Sequence, residues 1–389
     1  MTSSDARLKH IDGLRAIAVL LVVIHHATTH SALYVHEHTL SAWTHLALEG
    51  AHGVDLFFVL SGFCLSYPVL ARIGRFGTTA FSIQGFAARR ILRILPPYYA
   101  AIALFILLSF VPAFHESLPS WPDIVRQAEF LDWRTQFLNG SFWTLCVEFR
   151  WYFIFPAALA LWVYSSRLFF TAAGLLAAAY LTTRLRSIDL GVLLPFVLGI
   201  AAAHGYLNPR PYFRYAAVAA PAGVLAGIVL ERYLSAPGPY GGEIGLIFMQ
   251  TNIGWQLAMF FFVVLAGYST ALRQILSCRP LVWIGIASYS IYLIHEPLVQ
   301  RLDLALPQSL ALDWFAAVVM SVGLGFAFWF VAERPWVYGR LRARSLPLLE
   351  RGVDWMLARL DLPRTFLLHA YAPPLGTRQA SDPSTLSLR

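Results

Sequence analysis

Charge is scarce in this sequence. Asp, Glu, Lys and Arg make up 13% of its 389 residues, while hydrophobic residues make up 58%. Soluble globular domains carry about a quarter charged residues, so this balance excludes an ordinary water-soluble enzyme and points to a polytopic membrane protein. Cysteine is also scarce: Cys64, Cys146 and Cys278 are the only three. Their spacing does not suit a zinc-type ligand set, and no metal site is expected. Cys64 and Cys146 fall inside apolar stretches, where buried inert thiols are expected rather than a structural disulfide. The net charge of +8 could suggest nucleic acid, but the basic residues flank apolar segments. They read as topology signals first and anion ligands second, and no nucleic-acid partner is expected.

What is present is a series of apolar runs of spanning length, at 11–27, 53–70, 92–112, 142–163, 167–183, 189–206, 212–231, 244–267, 281–299 and 312–332. They predict an all-α polytopic fold of about ten transmembrane helices. Arginine concentrates on the connections of one side (Arg72, Arg75, Arg89, Arg90, Arg93, Arg273, Arg279 and the run Arg334–Arg351), with far fewer on the other. The positive-inside rule then puts both termini in the cytoplasm, which an even span number requires as well. The first segment lacks a small-x-small cleavage site and reads as an uncleaved span rather than a signal peptide. Residues 1–335 form the expected ten-helix membrane domain and 336–372 a cytoplasmic basic and amphipathic segment. Residues 373–389 are an expected disordered tail, rich in Pro, Ser and Thr.

Several ionisable residues sit inside the apolar runs, where they are costly and usually face a protein interior, a cavity or a substrate path. Arg15 and His26 share the first span, about 16 Å apart along a helix. The topology puts His25, His26, Asp55, Glu148 and His295, with Glu296 beside it, near the outer face on four different helices. Arg89, Arg90 and Arg93 gather at the inner face. A lone interfacial histidine is commonly structural, and an arginine cluster commonly a membrane anchor. Convergence at one depth argues for a site, and arginine forks suit a polyanionic cytosolic ligand.

These residues carry a resemblance. Ile11-Asp-Gly-Leu-Arg15-Ala followed by His26 resembles the Arg-x10-His signature of the acyltransferase-3 family of integral membrane acyl-CoA:O-acyltransferases. Gly53-Val-Asp55-Leu-Phe-Phe-Val-Leu-Ser61-Gly-Phe63 is similar to its second motif, and Arg89-Arg90-Ile-Leu-Arg93-Ile-Leu-Pro96 to the basic stretch before its third span. Ser141-Phe-Trp143-Thr-Leu-Cys-Val-Glu148 resembles its Trp-x4-Glu element. Ser288-Tyr-Ser-Ile-Tyr292-Leu-Ile-His295-Glu-Pro297 resembles the motif near its end. Two positions depart: His25 replaces the usual aromatic residue, and Phe149-Arg150 the usual polar pair after the glutamate.

The resemblance implies acyl transfer from a cytosolic acyl-CoA, commonly acetyl-CoA, with no bound cofactor. It implies a bacterial cytoplasmic-membrane location and a hydroxyl-bearing acceptor: a surface glycan, a lipid-linked sugar or a macrolide. His26 is expected as general base, with Asp55 or Glu148 orienting it. Arg89, Arg90 and Arg93 are expected to hold the donor phosphates, while Arg15 steers the pantetheine arm. His25, Ser61, Trp143, Tyr292 and His295 are supporting candidates, with Ser61 beside Gly62 expected to serve helix packing. The alternative is a transporter using the same buried groups as a proton or substrate relay.

Overall fold

The computed structural model describes residues 8–30, 42–111, 120–130, 139–182, 192–209, 211–235, 253–305 and 310–369. The tail from 373, the 236–242 turn and most of the 113–141 connection lie outside the described residues.

A helix lies in each of the ten apolar segments. In chain order the elements begin with α1 (Lys9–Thr29), the short α2 (Ala42–Leu48), a 3-10 turn (Glu49–His52) and α3 (Gly53–Phe76). Strand β1 (Thr78–Ser82), α4 (Ile83–Leu108), α5 (Trp121–Ala128), α6 (Phe142–Tyr164) and α7 (Ser166–Thr182) follow. Next come α8 (Leu193–Leu207), a 3-10 turn (Pro211–Tyr215), α9 (Ala216–Ser235), α10 (Ile253–Tyr268) and α11 (Thr270–Leu276). The chain continues with α12 (Arg279–Ala305), α13 (Leu310–Phe328), a π turn (Trp329–Glu333), α14 (Arg334–Val337), α15 (Arg340–Arg359) and β2 (Thr365–His369).

Among the described residues, six helical segments are long and apolar enough to cross a membrane: Lys9–Thr29, Trp43–Phe76, Ile83–Leu108, Phe142–Tyr164, Arg279–Gln300 and Trp314–Val337. A seventh is added if α10 and α11, bent by 100°, are one broken span. Helices α7, α8 and α9 are apolar but shorter over their described lengths. The protein is thus a largely helical, multi-pass membrane protein.

One departure from the all-α expectation is a two-stranded antiparallel ribbon, with Thr78 opposite His369 and Ser82 opposite Thr365. Gly77, at φ 74°, ends α3 in the left-handed region that favours glycine. The β-branched and aromatic run that follows pairs with a strand from the far end of the chain, and Phe81 stacks on Phe366 with centroids 5.2 Å apart. A local pattern cannot reveal so distant a partner. The ribbon and α15 also tie the C-terminal segment to the bundle, because α15 packs along α4 and buries Val353 and Leu357.

The bundle centres on α1, which packs along α12 and α3, while α3 packs along α8. These contacts need small residues. A Cβ on Gly62 would fall on the Phe196 carbonyl, and one on Gly199 on the Val59 carbonyl, so the α3 and α8 backbones touch. Apolar tails do not drive helices together in lipid, so this close approach is a main source of cohesion. Gly199→Val is expected to lose about 1–3 kcal/mol, the usual cost of overpacking. Thermal unfolding in detergent should show a lower midpoint than for Gly74→Ala, where the added methyl meets nothing within 4 Å. Equal midpoints would contradict the packing.

Candidate active site

A polar cavity and a cluster of histidines lie side by side inside the bundle. The first is a cavity of about 410 Å³ between α1, α3, α4, α6, α12 and the α14–α15 segment. Arg15, Arg89, Arg90, Arg93 and Arg342 line it together with Ser61, Glu148, Tyr152 and Ser288. Among the described residues, no carboxylate lies within salt-bridge distance of Arg15, Arg89, Arg90 or Arg93. Arg90 instead packs its guanidinium over the rings of Phe86 and Tyr152, at 5.7 and 5.6 Å, and its buried Nε has no hydrogen-bond partner. Such charges are expensive within a membrane unless a ligand or counter-charge compensates them. Two carboxylates do so in part. Glu148 Oε1 accepts hydrogen bonds from Ser61 and Tyr152, both at 2.6 Å. Glu333, fully buried at the end of the π turn, accepts from Ser290 at 2.7 Å, and its charge acts on Arg93 and Arg15.

The second is a cluster built around His26 and His295, whose rings meet at 5.0 Å. His295 Nδ1 lies 2.8 Å from the Tyr292 carbonyl, which can only accept, so Nδ1 carries the proton. Neutral His295 therefore offers a lone pair at Nε2, 3.2 Å from His26 Nδ1. His26 Nδ1 also lies 3.0 Å from the Val22 carbonyl, one turn back in α1. Both partners are acceptors, so His26 bears a proton on Nδ1, and in the neutral ring Nε2 is the basic nitrogen. Nε2 lies 3.8 Å from Glu296 Oε2, and Ser141 Oγ donates to that same oxygen at 2.5 Å. The His26 side chain is 20% exposed and Glu296 10%, so the imidazole is reachable while its acidic neighbour is nearly enclosed.

The expected pairings change here. Neither Asp55 nor Glu148 touches His26; Glu296 is the acidic neighbour instead. Asp55 Oδ2 accepts from His52 Nδ1 at 2.8 Å, and the His52 ring stacks on Trp255 at 4.3 Å. Each carboxylate instead turns to donors close to it. His52 precedes Asp55 by three residues, and Tyr152 follows Glu148 by one turn. Ser61 is not only a packing residue, since its hydroxyl bonds Glu148 while Gly62 makes the helix contact. His25 turns to the Leu48 carbonyl, 2.7 Å from Nδ1, and sits edge-on to His26. Trp143 is half-buried against the core.

Arg342, Tyr152 and Glu333 are not among the site residues read from the sequence, and Glu296 is named there only as the neighbour of His295. The run Arg340–Arg344 was available as a signal but served only for topology, and the C-terminal segment was assigned no chemistry. Its Arg342, with Trp336 and Val337, in fact lines the cavity.

A cavity with unpaired guanidinium groups should bind a compact polyanion by charge. Inorganic pyrophosphate should raise the unfolding midpoint of the detergent-solubilised protein at low salt, and this effect should fade by about 0.5 M NaCl as screening sets in. No stabilisation at low salt would contradict the electrostatic assignment.

A model described as "Acyltransferase domain" matches residues 8–330, most of the chain. The chain is 27% identical over 328 residues to "Peptidoglycan O-acetyltransferase OatA" of Listeria monocytogenes serovar 1/2a, covering 74% of this chain and 49% of the relative. It is 23% identical over 339 residues to "O-acetyltransferase OatA" of Staphylococcus aureus strain NCTC 8325, covering 76% of this chain and 51% of the relative. The chain thus spans about half the length of these curated relatives. No solved structure gives a significant match. The match begins at the first span and runs through every element that lines the cavity or carries the histidines up to the π turn, so the chain belongs to the acyltransferase-3 family.

Proposed function

We propose that this protein is a membrane-embedded O-acetyltransferase that takes its acyl group from acyl-CoA and passes it to a hydroxyl of a cell-surface glycan. The observation that carries this reading is the arginine-lined cavity beside a partly exposed imidazole, His26, whose Nε2 faces Glu296. On the positive-inside argument the arginine mouth faces the cytosol, both termini are cytoplasmic and ten segments span the cytoplasmic membrane. The glycan acceptor is suggested by the printed names of the relatives, one of which specifies peptidoglycan.

In this reading Arg89, Arg90, Arg93 and Arg342 hold the CoA phosphates at the mouth, where guanidinium forks suit phosphate oxygens. Arg15 lies deeper and lines the path of the pantetheine arm. The Glu148 oxygen left without a protein hydrogen bond is placed to accept an amide N–H of that arm. His26 Nε2 then takes the proton of the acceptor hydroxyl as its oxygen attacks the thioester carbonyl. The C–S bond breaks, the ester C–O bond forms, and the imidazolium returns its proton to the departing CoA thiolate. Glu296 faces the nitrogen that gains the proton and stabilises that charge, as a carboxylate does in other acyl-transfer sites. His295 holds the tautomer that leaves Nε2 free.

His26→Ala should lose about 10²–10⁴-fold in turnover, the typical contribution of a positioned base, with normal membrane levels. Full activity would reject the base assignment. Arg93→Ala should raise the Michaelis constant for acetyl-CoA more than it lowers turnover. An unchanged constant would return the arginines to an anchoring role. The transporter alternative predicts uptake of a substrate without any CoA release, which a thiol-trapping assay on inverted vesicles distinguishes.

A further inference from the structure

Neither His26 nor His295 lines the arginine cavity, whereas Phe57, Thr144 and Tyr292 do. These three side chains are knit together. The Tyr292 hydroxyl shares a 2.8 Å hydrogen bond with Thr144 Oγ1 and donates to the Ser141 carbonyl at 3.1 Å. Its ring meets Phe57 edge-to-face at 5.8 Å. On the far side the same ring lies 5.4 Å from that of His295, which holds His26. A single aromatic side chain with its two partners therefore stands between the donor cavity and the imidazole. The three side chains come from three helices: Phe57 from α3, Thr144 from α6 and Tyr292 from α12.

We propose that Tyr292, Thr144 and Phe57 form a swinging partition that admits a short acyl thioester to His26 and turns back longer acyl groups. This rests on the acyl-CoA reading above. Tyr292 is suited to move because its hydroxyl is tethered by hydrogen bonds rather than by an ion pair. Its backbone carbonyl, which fixes the His295 tautomer, stays in place as the ring turns. Phe57 has no tether and sets the space left when the ring swings aside. With the cavity only about 410 Å³, the acyl end of an inserted pantetheine arm meets this wall directly. Each methylene that does not fit such a wall typically costs about tenfold or more in rate. The hydroxyl tether also favours the closed partition while donor is bound, which limits water reaching the thioester until an acceptor is present.

The test is a donor series of acetyl-, butyryl- and octanoyl-CoA on the purified full-length protein in nanodiscs, with a soluble peptidoglycan fragment as acceptor and CoA thiol release as readout. The wild-type protein should prefer acetyl- to butyryl-CoA by about 100-fold, as two unfitted methylenes imply. Phe57→Ala should cut that preference at least tenfold, and Phe57→Leu should cut it less; the leucine variant carries the test if the alanine variant does not fold. Tyr292→Phe keeps the ring and removes the tether. It should preserve the chain-length preference while raising acetyl-CoA hydrolysis without acceptor severalfold. Equal use of acetyl- and octanoyl-CoA by the wild type, or a preference untouched by both Phe57 variants with acetyl release intact, would overturn the partition alone. If the wild type consumes no acyl-CoA of any length, the donor reading fails and the partition falls with it.

Discussion

The hydrogen bond between His295 Nε2 and His26 Nδ1, 3.2 Å long, orders the rest of the site. It is directional because of a group that has no choice. The Tyr292 carbonyl can only accept, so His295 must donate from Nδ1 and accept at Nε2. The Val22 carbonyl imposes the same proton position on His26 from the other side. Two backbone carbonyls, on α12 and α1, thus decide which nitrogen of His26 is basic. In the proposed mechanism a histidine does what a carboxylate does in the familiar triads, while Glu296 stands at the opposite nitrogen, where positive charge would develop.

The second constraint is the cost of charge in a membrane. Arg15, Arg89, Arg90 and Arg93 share one cavity with no salt-bridged carboxylate among the described residues, and Glu148 and Glu333 offset them only from a distance. An arrangement of this kind is unstable by itself and makes sense as half of a complex with a polyanion. The small residues of α3 and α8 hold the helices close enough that the cavity keeps its shape. The C-terminal helix α15, clamped on α4 and secured by the ribbon, completes its mouth with Arg342.

Much of this was legible in the sequence, and the gaps have one physical cause. Apolar runs locate helices because a span must be about twenty apolar residues long. Charge bias then orders the residues along the membrane normal. That was enough to single out His26, His295 and the Arg89–Arg93 cluster, and to bring Asp55 and Glu148 to the same level. Depth, however, says nothing about rotation around a helix axis. Asp55 therefore faced His52, Glu148 faced Ser61 and Tyr152, and the carboxylate beside His26 proved to be Glu296. Glu333 was hidden by a π turn at the end of an apolar run, where a helical register no longer holds. The ribbon joins strands from nearly opposite ends of the chain, which no local pattern encodes.

The central claim is that a donor held by the arginines can bring its acyl carbon to His26. A cryo-EM structure with the thioether analogue of acetyl-CoA tests it most directly. The account predicts phosphates on the arginine cluster, a pantetheine arm past Arg15 and Ser61, the Tyr292 ring turned aside, and the acyl carbon close enough to His26 Nε2 for one hydroxyl to bridge them. An analogue bound elsewhere, or seated in the cavity with its acyl end pointing away from a still-closed Tyr292, would contradict it.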